Sequence, residues 1–284
     1  VPSILITGVS TGIGRACANL FAEQGWHVTG TVRDTARRPE GLHSDVALEL
    51  LDLGLPGNAS ALAERMLAGP GCPDVLVNNA GIVQFGSIEE LSADEWAHIY
   101  QVNLFGQLEL IRGLLPAMRG RGRGTIANVT SLGGTLTFPF FSAYNSTKWA
   151  LEGVSEGLWH ELKPFGVRVK AIEPGFVETA IWSKALPTRA AATAGAARAA
   201  STEAPAGPYA EYLQAMLDFE AGITQRTTPE AAAIEIAAAI ADSSDQLRYP
   251  VAAYARTLVS ARRALGPQRF IRFFHRRWMG PNAG

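Results

Sequence analysis

Two hydrophobic rhythms alternate along the chain. Ile4-Leu5-Ile6 and Val75-Leu76-Val77 are apolar without interruption, as suits strands covered on both faces of a sheet. After the first run, Ala16, Cys17, Leu20 and Phe21 recur at the spacing of one helix face. Further strands are predicted over His27–Val32, Val46–Leu51, Thr125–Val129 and Val167–Ile172. Ser92-Ala93-Asp94-Glu95 has capping-box spacing, in which Ser accepts from the third helical amide and Glu reaches back to the cap. A long helix is therefore expected, with an apolar stripe through Trp96, Ile99, Leu104, Leu108, Ile111 and Leu115, up to the Gly/Arg stretch 119–124. Tyr144–Leu162 reads as another helix, and Thr228-Pro229-Glu230 starts one that runs to Ala241.

Strands alternating with helices at this rhythm predict βαβ units with right-handed crossovers and parallel pairing. The expected fold is an α/β, Rossmann-type doubly wound parallel sheet of about seven strands, helices on both faces, in a single domain over 1–284. Such sheets bind ligands beyond the carboxyl ends of their strands, where strand order reverses. Residues 180–227 break the rhythm and are read as an insertion beside the substrate. Ala180–Pro208, rich in Ala, Gly and Pro, is either a lid or a plain mobile loop. Residues 246–284 form an extension with eight arginines and no Asp or Glu.

Composition narrows the function classes. Hydrophobic residues make up 47% of the chain and charged residues 18%, enough for a large core. A net charge of −1 gives no general reason to expect nucleic acid. Two cysteines, Cys17 and Cys72, do not make a disulfide scaffold. With no long apolar run and no signal-like start at Val1-Pro2-Ser3, a cytoplasmic location is expected. The five histidines lack metal-ligand spacing, so no metal is expected. Arg269–Trp278 mixes cations and aromatics as an interfacial membrane helix does. A terminal helix packing on the domain or on a partner subunit is the preferred reading, because amphipathic helices usually bury their apolar face.

The chemistry concentrates after the strands. Thr7-Gly8-Val9-Ser10-Thr11-Gly12-Ile13-Gly14 puts three glycines between a strand and a helix, where backbone can approach a pyrophosphate and free amides favour its charge. Tyr144 and Lys148 stand four apart on one helix and share a face. Ser131 ends the fifth strand, and Asn103 lies in the long helix.

Glycines at 8, 12 and 14, Asn78-Asn79-Ala80-Gly81 after the fourth strand, and the set Asn103, Ser131, Tyr144 and Lys148 together resemble the short-chain dehydrogenase/reductase family, nearest its steroid/retinol dehydrogenase-like or carbonyl reductase branch. The segment Asn145-Ser146-Thr147 departs from the usual residues between Tyr and Lys. The resemblance implies dinucleotide contacts from Gly8, Ser10, Thr11, Gly12, Ile13 and Gly14. It also implies Asp52 at the adenine, and Asn79, Ala80 and Gly81 beside the adenosine. Pro174, Gly175, Val177 and Thr179 would hold the nicotinamide, with Tyr144 and Lys148 at its ribose. At the end of the second strand Val32 takes the acid position and Arg33 follows it, favouring NADP(H); Asp34 keeps NAD(H) open.

The implied activity is hydride transfer between NADP(H) and a ketone or secondary alcohol. Tyr144 is the acid/base, Ser131 orients the oxygen, Lys148 lowers the phenol's pKa and holds the ribose, and Asn103 positions a relay water. Pocket candidates Val83, Phe85, Leu132–Phe141 and Phe176 are mostly apolar, which suits a small hydrophobic carbonyl or alcohol. The resemblance also implies a homodimer or homotetramer. An epimerase or dehydratase using the same Tyr/Lys pair is disfavoured by the glycine spacing and the short C-terminal portion. A non-catalytic NADP(H) sensor is expected to have lost Tyr144 or Lys148.

Overall fold

In the computed structural model the described residues are 1–179 and 208–279. Seven parallel strands form one sheet: β1 (Ser3–Ile6), β2 (His27–Val32), β3 (Ala47–Leu50), β4 (Val75–Asn78), β5 (Gly124–Val129), β6 (Val167–Pro174) and β7 (Arg248–Val251), in the order β3-β2-β1-β4-β5-β6-β7. The expected doubly wound parallel sheet is therefore present. Strand order reverses between β1 and β4, which pair from Ile4 with Val75 to Ile6 with Val77.

Two apolar layers cover the sheet. Phe21 and Cys17 of α1 (Gly12–Glu23) and Ile236 and Ile240 of α7 (Pro229–Ala241) lie on one face with Ile4 and Ile6. Leu62 and Met66 of α2 (Asn58–Ala68) and Leu110 and Leu114 of α4 (Gly106–Arg121) lie on the other with Leu5 and Leu76. Adjacent β1 residues thus face opposite layers, which is why these strands are apolar on both faces.

The capping box forms as the spacing predicts: Ser92 Oγ accepts from Glu95 N at 3.3 Å while Glu95 accepts from Ser92 N at 2.8 Å. The helix begun there is not uniform. It runs as α3 (Ala93–Tyr100), widens into a π-helical turn at Gln101–Phe105, and continues as α4. Asn103 sits in the widened turn, which falls where the apolar stripe steps five residues, from Ile99 to Leu104, instead of three or four. The helix α5 (Ser142–Leu162) follows β5.

The Arg-rich segment contributes β7 to the sheet before forming α8 (Ala255–Leu265) and α9 (Pro267–Met279). Pro250 is tolerated because β7 is an edge strand that pairs with β6 alone. Of the predicted insertion, 180–207, and with it the lid-or-loop alternative, lies outside the described residues. Its remainder includes α6 (Ala210–Ala221), beside α9.

Candidate active site

The loops after β1, β4, β5 and β6 converge at the carboxyl edge of the sheet. Gly8 and Gly12 have φ of +76° and +60°, a backbone region costly for any residue with a Cβ. Gly14 is constrained by space: a Cβ there would meet Gly8 O at 2.3 Å and Asn79 Nδ2 at 2.4 Å. The turn is tied to the loop after β4. Asn79 Nδ2 donates to Thr7 O at 2.9 Å, and Thr7 Oγ1 accepts from the amides of Asn79 at 3.0 Å and Ala80 at 2.9 Å. Ser10 and Thr11 are exposed at the mouth, and α1 starts at Gly12. The first amides of a helix have no intrahelical acceptor, so those near Gly12, Ile13 and Gly14 suit a pyrophosphate. Glycines where a Cβ would collide and an open helix start fit a dinucleotide.

The segment after β6 reaches over this turn. Thr179 lies 3.1 Å from where a Gly12 Cβ would be, and Gly175 has no room for one against Ala253 O, 2.0 Å away. Pro174 and Val177 are buried in the same segment. Asp52 is half-buried and accepts from Gly54 N at 2.9 Å. Arg33 and Asp34 are both exposed. Asp34 Oδ1 accepts from Ala36 N at 2.8 Å, while Arg38 is held by the carbonyls of Ser44 and Val46 at 3.0 and 2.9 Å.

The four candidate catalytic residues come together. Tyr144 and Ser131 meet at Gly133, where a Cβ would lie 3.4 Å from Tyr144 Cε1 and 3.3 Å from Ser131 Oγ, and Ser131 Oγ accepts from Gly133 N at 2.9 Å. Lys148, one turn along α5 and only 4% exposed, donates to Val129 O at 2.9 Å. Its ammonium lies 5.8 Å from the centre of the Tyr144 ring. Asn103 is fully buried; it donates to Ile82 O and accepts from Ile82 N, both at 2.8 Å, and donates to Thr147 Oγ1 at 3.2 Å. Its amide thus clasps the loop after β4 to α5. A Cβ on Gly81 would come within 3.3 Å of Asn103 Oδ1 and 3.7 Å of Lys148 Nζ.

Burial governs the titration of the pair. It raises the Tyr144 phenol above its ordinary value, with the nearby Ser131 hydroxyl acting in the opposite sense. It lowers Lys148 to about 8, opposed by the negative charge of Glu152. A raised phenol keeps its proton at neutral pH, the form a general acid needs. Glu152, one turn beyond Lys148, is 5% exposed. It accepts from Arg248 Nε at 2.9 Å, and burial raises its carboxyl.

The pocket candidates gather around Tyr144. Val83, Leu132, Phe141 and Phe176 are buried in one apolar cluster, with Phe85, Phe138 and Tyr144 packed against it. An open cleft of about 430 Å³ is lined by Ser87, Pro139, Phe140, Ser142 and Tyr209, of which Phe140 also packs against this cluster. The far wall was not legible in sequence: Met216 of α6, and Phe270, Phe274 and Trp278 of α9. The α9 aromatics recur four apart, the one signal that pointed to a docked face. Glu152 was likewise missed, because an isolated polar residue in a helix carries no motif; Thr7 and Thr147 stand inside the glycine turn and the Tyr–Lys segment, where the spacing gives them no role of their own. Asn145, at the departure from the usual residues, is buried and donates to Phe138 O at 3.3 Å, bracing the segment after Ser131.

A family model described as short chain dehydrogenase matches residues 2–190. An uncharacterized oxidoreductase of Schizosaccharomyces pombe is 34% identical over 83% of this chain and 94% of its own length. Human 17-beta-hydroxysteroid dehydrogenase type 1 is 37% identical over 64% of this chain and 59% of its own. Among solved structures, a short-chain dehydrogenase from Streptomyces avermitilis superposes with a TM-score of 0.77 at 32% identity, covering 98% of this chain and 96% of that one. Two others were solved with dinucleotides. L-Sorbose reductase of Gluconobacter frateurii holds NADPH and L-sorbose (TM-score 0.69, 28% identity, 87% of this chain and 94% of that one). A 3-ketoacyl-(acyl-carrier-protein) reductase of Brucella melitensis holds NADH (TM-score 0.68, 25% identity, 87% and 93%).

Proposed function

The chain belongs to the short-chain dehydrogenase family, and from that premise we propose that this oxidoreductase uses NADP(H) to interconvert a small hydrophobic ketone and its secondary alcohol. The observation that carries the reading is the convergence of Tyr144 and Ser131 at the rim of an apolar chamber, with Lys148 one turn away. When bound, the nicotinamide supplies the hydride in reduction and accepts it in oxidation.

The chain's own groups manage the oxygen and its proton. Ser131 donates to the carbonyl oxygen and fixes its position. Tyr144 gives its Oη proton to that oxygen in reduction and removes it in oxidation. In oxidation the phenolate is the base, and a charged Lys148 favours that form by Coulomb attraction. Lys148 also reaches the ribose side, near Gly81. Asn103 is a positioning residue: its side chain is committed to Ile82 and Thr147, so a water relay through this residue draws on its main chain. The aromatic wall excludes bulk water from the reacting centre.

Preference for NADP(H) rests on Arg33. Asp34 is engaged by Ala36 N and Arg38 by backbone carbonyls; Arg33, exposed directly after β2, would meet a 2′-phosphate, with the exposed Arg37 adding positive charge in the same loop. The hydrophobic substrate class rests on Phe85, Phe138 and Phe176 around Tyr144. Human 17-beta-hydroxysteroid dehydrogenase type 1, by its name a steroid enzyme, agrees in kind.

The test is oxidation of NADPH and NADH, in parallel, against aliphatic, aryl and steroid-like ketones beside polyhydroxylated sugars. Turnover with NADPH and apolar ketones is expected. Turnover confined to NADH or to sugars would overturn the cofactor or the substrate assignment separately.

A further inference from the structure

The helix α9 has two usable faces, and the core consumes one. Phe270, Phe274 and Trp278 are 1%, 7% and 6% exposed and follow one another at four-residue spacing toward α6 and Phe138. Trp278 stacks on Phe219 with ring centres 3.8 Å apart. The preferred sequence reading, a terminal helix packing on the domain or on a partner subunit, is met at this face by the domain itself.

On the opposite side, Arg269, Arg272, Phe273 and Arg276 recur at helical spacing and are all exposed. Phe273 is 55% exposed. Of the other arginines in this segment Arg263 is exposed and four are occupied: Arg248 by Glu152 and Glu156, Arg256 by Glu235, Arg262 over the rings of Trp149 and Phe270, and Arg277 over Phe219. Arg269, Arg272 and Arg276 have no carboxylate or ring partner among the described residues, and no acid occurs in sequence from Gln246 onward. The net charge of −1 conceals a segregated cationic surface.

We infer that this face of α9 rests on the surface of an anionic lipid bilayer, with Phe273 entering the headgroup boundary and the three arginines on lipid phosphates. Charge complementarity supplies the attraction, and the exposed aromatic decides the partner. A convex helix with an apolar side chain amid cations matches a flat interface that accepts apolar groups beneath a charged layer. Nucleic-acid backbone is tracked by a cationic groove, and this surface is not one. The bilayer would lie against the helix whose other face walls the chamber at Tyr144. The binding claim itself stands on α9 and is independent of the hydride-transfer reading.

The test is co-sedimentation of the full chain with phosphatidylcholine vesicles, with and without one third phosphatidylglycerol, at low and high salt. Binding to the anionic vesicles only, weakened by salt, is expected. Arg269→Gln, Arg272→Gln and Arg276→Gln should each lower the partition coefficient about fivefold, with ketone turnover in solution unchanged. Phe273→Trp should show a blue-shifted emission on vesicle addition, and Phe273→Ala should lose the residual binding at high salt. Absence of binding, or binding indifferent to the three arginines, overturns the inference. So does a sedimentation-velocity result in which Phe273→Asp converts an oligomer into monomer, since a second copy would then cover the face.

Discussion

Lys148 donates to the carbonyl of Val129 at 2.9 Å from a position only 4% exposed, so the last residue of β5 holds the ammonium in place. The arrangement costs stability, because burial lowers this lysine from 10.5 to about 8. Between those values the unfolded chain binds the extra proton, so this group makes stability rise with pH across that window. Lys148→Met should abolish turnover and yet gain up to about 3 kcal/mol over the parent. The gain should be largest at and below pH 8 and fade toward pH 10.5, less a pH-independent loss of about 1 kcal/mol for the Val129 hydrogen bond. Thermal melts across pH check this; a difference in stability that does not vary with pH would refute it.

Gly14 and Gly153 should respond oppositely to alanine. A Cβ at Gly14 lies 2.3 Å from Gly8 O, whereas one at Gly153, within α5, has nothing within 4 Å. Gly14→Ala is expected to cost about 1–3 kcal/mol and to abolish dinucleotide binding. Gly153→Ala should raise stability by about 0.5–1 kcal/mol. Denaturant melts and cofactor titration read both.

Arg33→Ala should weaken NADPH by roughly tenfold or more, as loss of a charge-assisted contact to a 2′-phosphate requires, and leave NADH nearly unchanged. Fluorescence titration of both dinucleotides decides it. Equal weakening of the two would make Arg33 a general surface cation.

Phe274→Ala removes a 7% exposed ring wedged between Phe138, Phe219 and Trp278. A loss of about 3–5 kcal/mol is expected, with KM for an apolar ketone raised more than kcat is lowered. Unchanged KM in a folded variant would place α9 outside the substrate chamber.

Much of this was legible in sequence because it is local. Uninterrupted runs such as Val75–Val77 mark doubly covered strands, the glycines at 8, 12 and 14 mark the turn, and the Tyr144 and Lys148 spacing fixes a shared helix face. Non-local features were not legible. The widened turn at Asn103 showed only as one five-residue step in the apolar stripe, from Ile99 to Leu104, and β7 is short and contains Pro250. The wall formed by Met216, Phe274 and Trp278 depends on two distant helices folding back over Phe138. The titration of Tyr144 also differed from the sequence expectation, since burial rather than the Lys148 charge is its leading influence.

The central claim is that Tyr144 passes its proton to the substrate oxygen, and Tyr144→Phe tests it most directly. The variant should bind NADPH as the parent does, keep its melting temperature, and lose about 10²- to 10⁴-fold in single-turnover hydride transfer. Hydride transfer at the parental rate with the ring intact and the hydroxyl gone would contradict the mechanism.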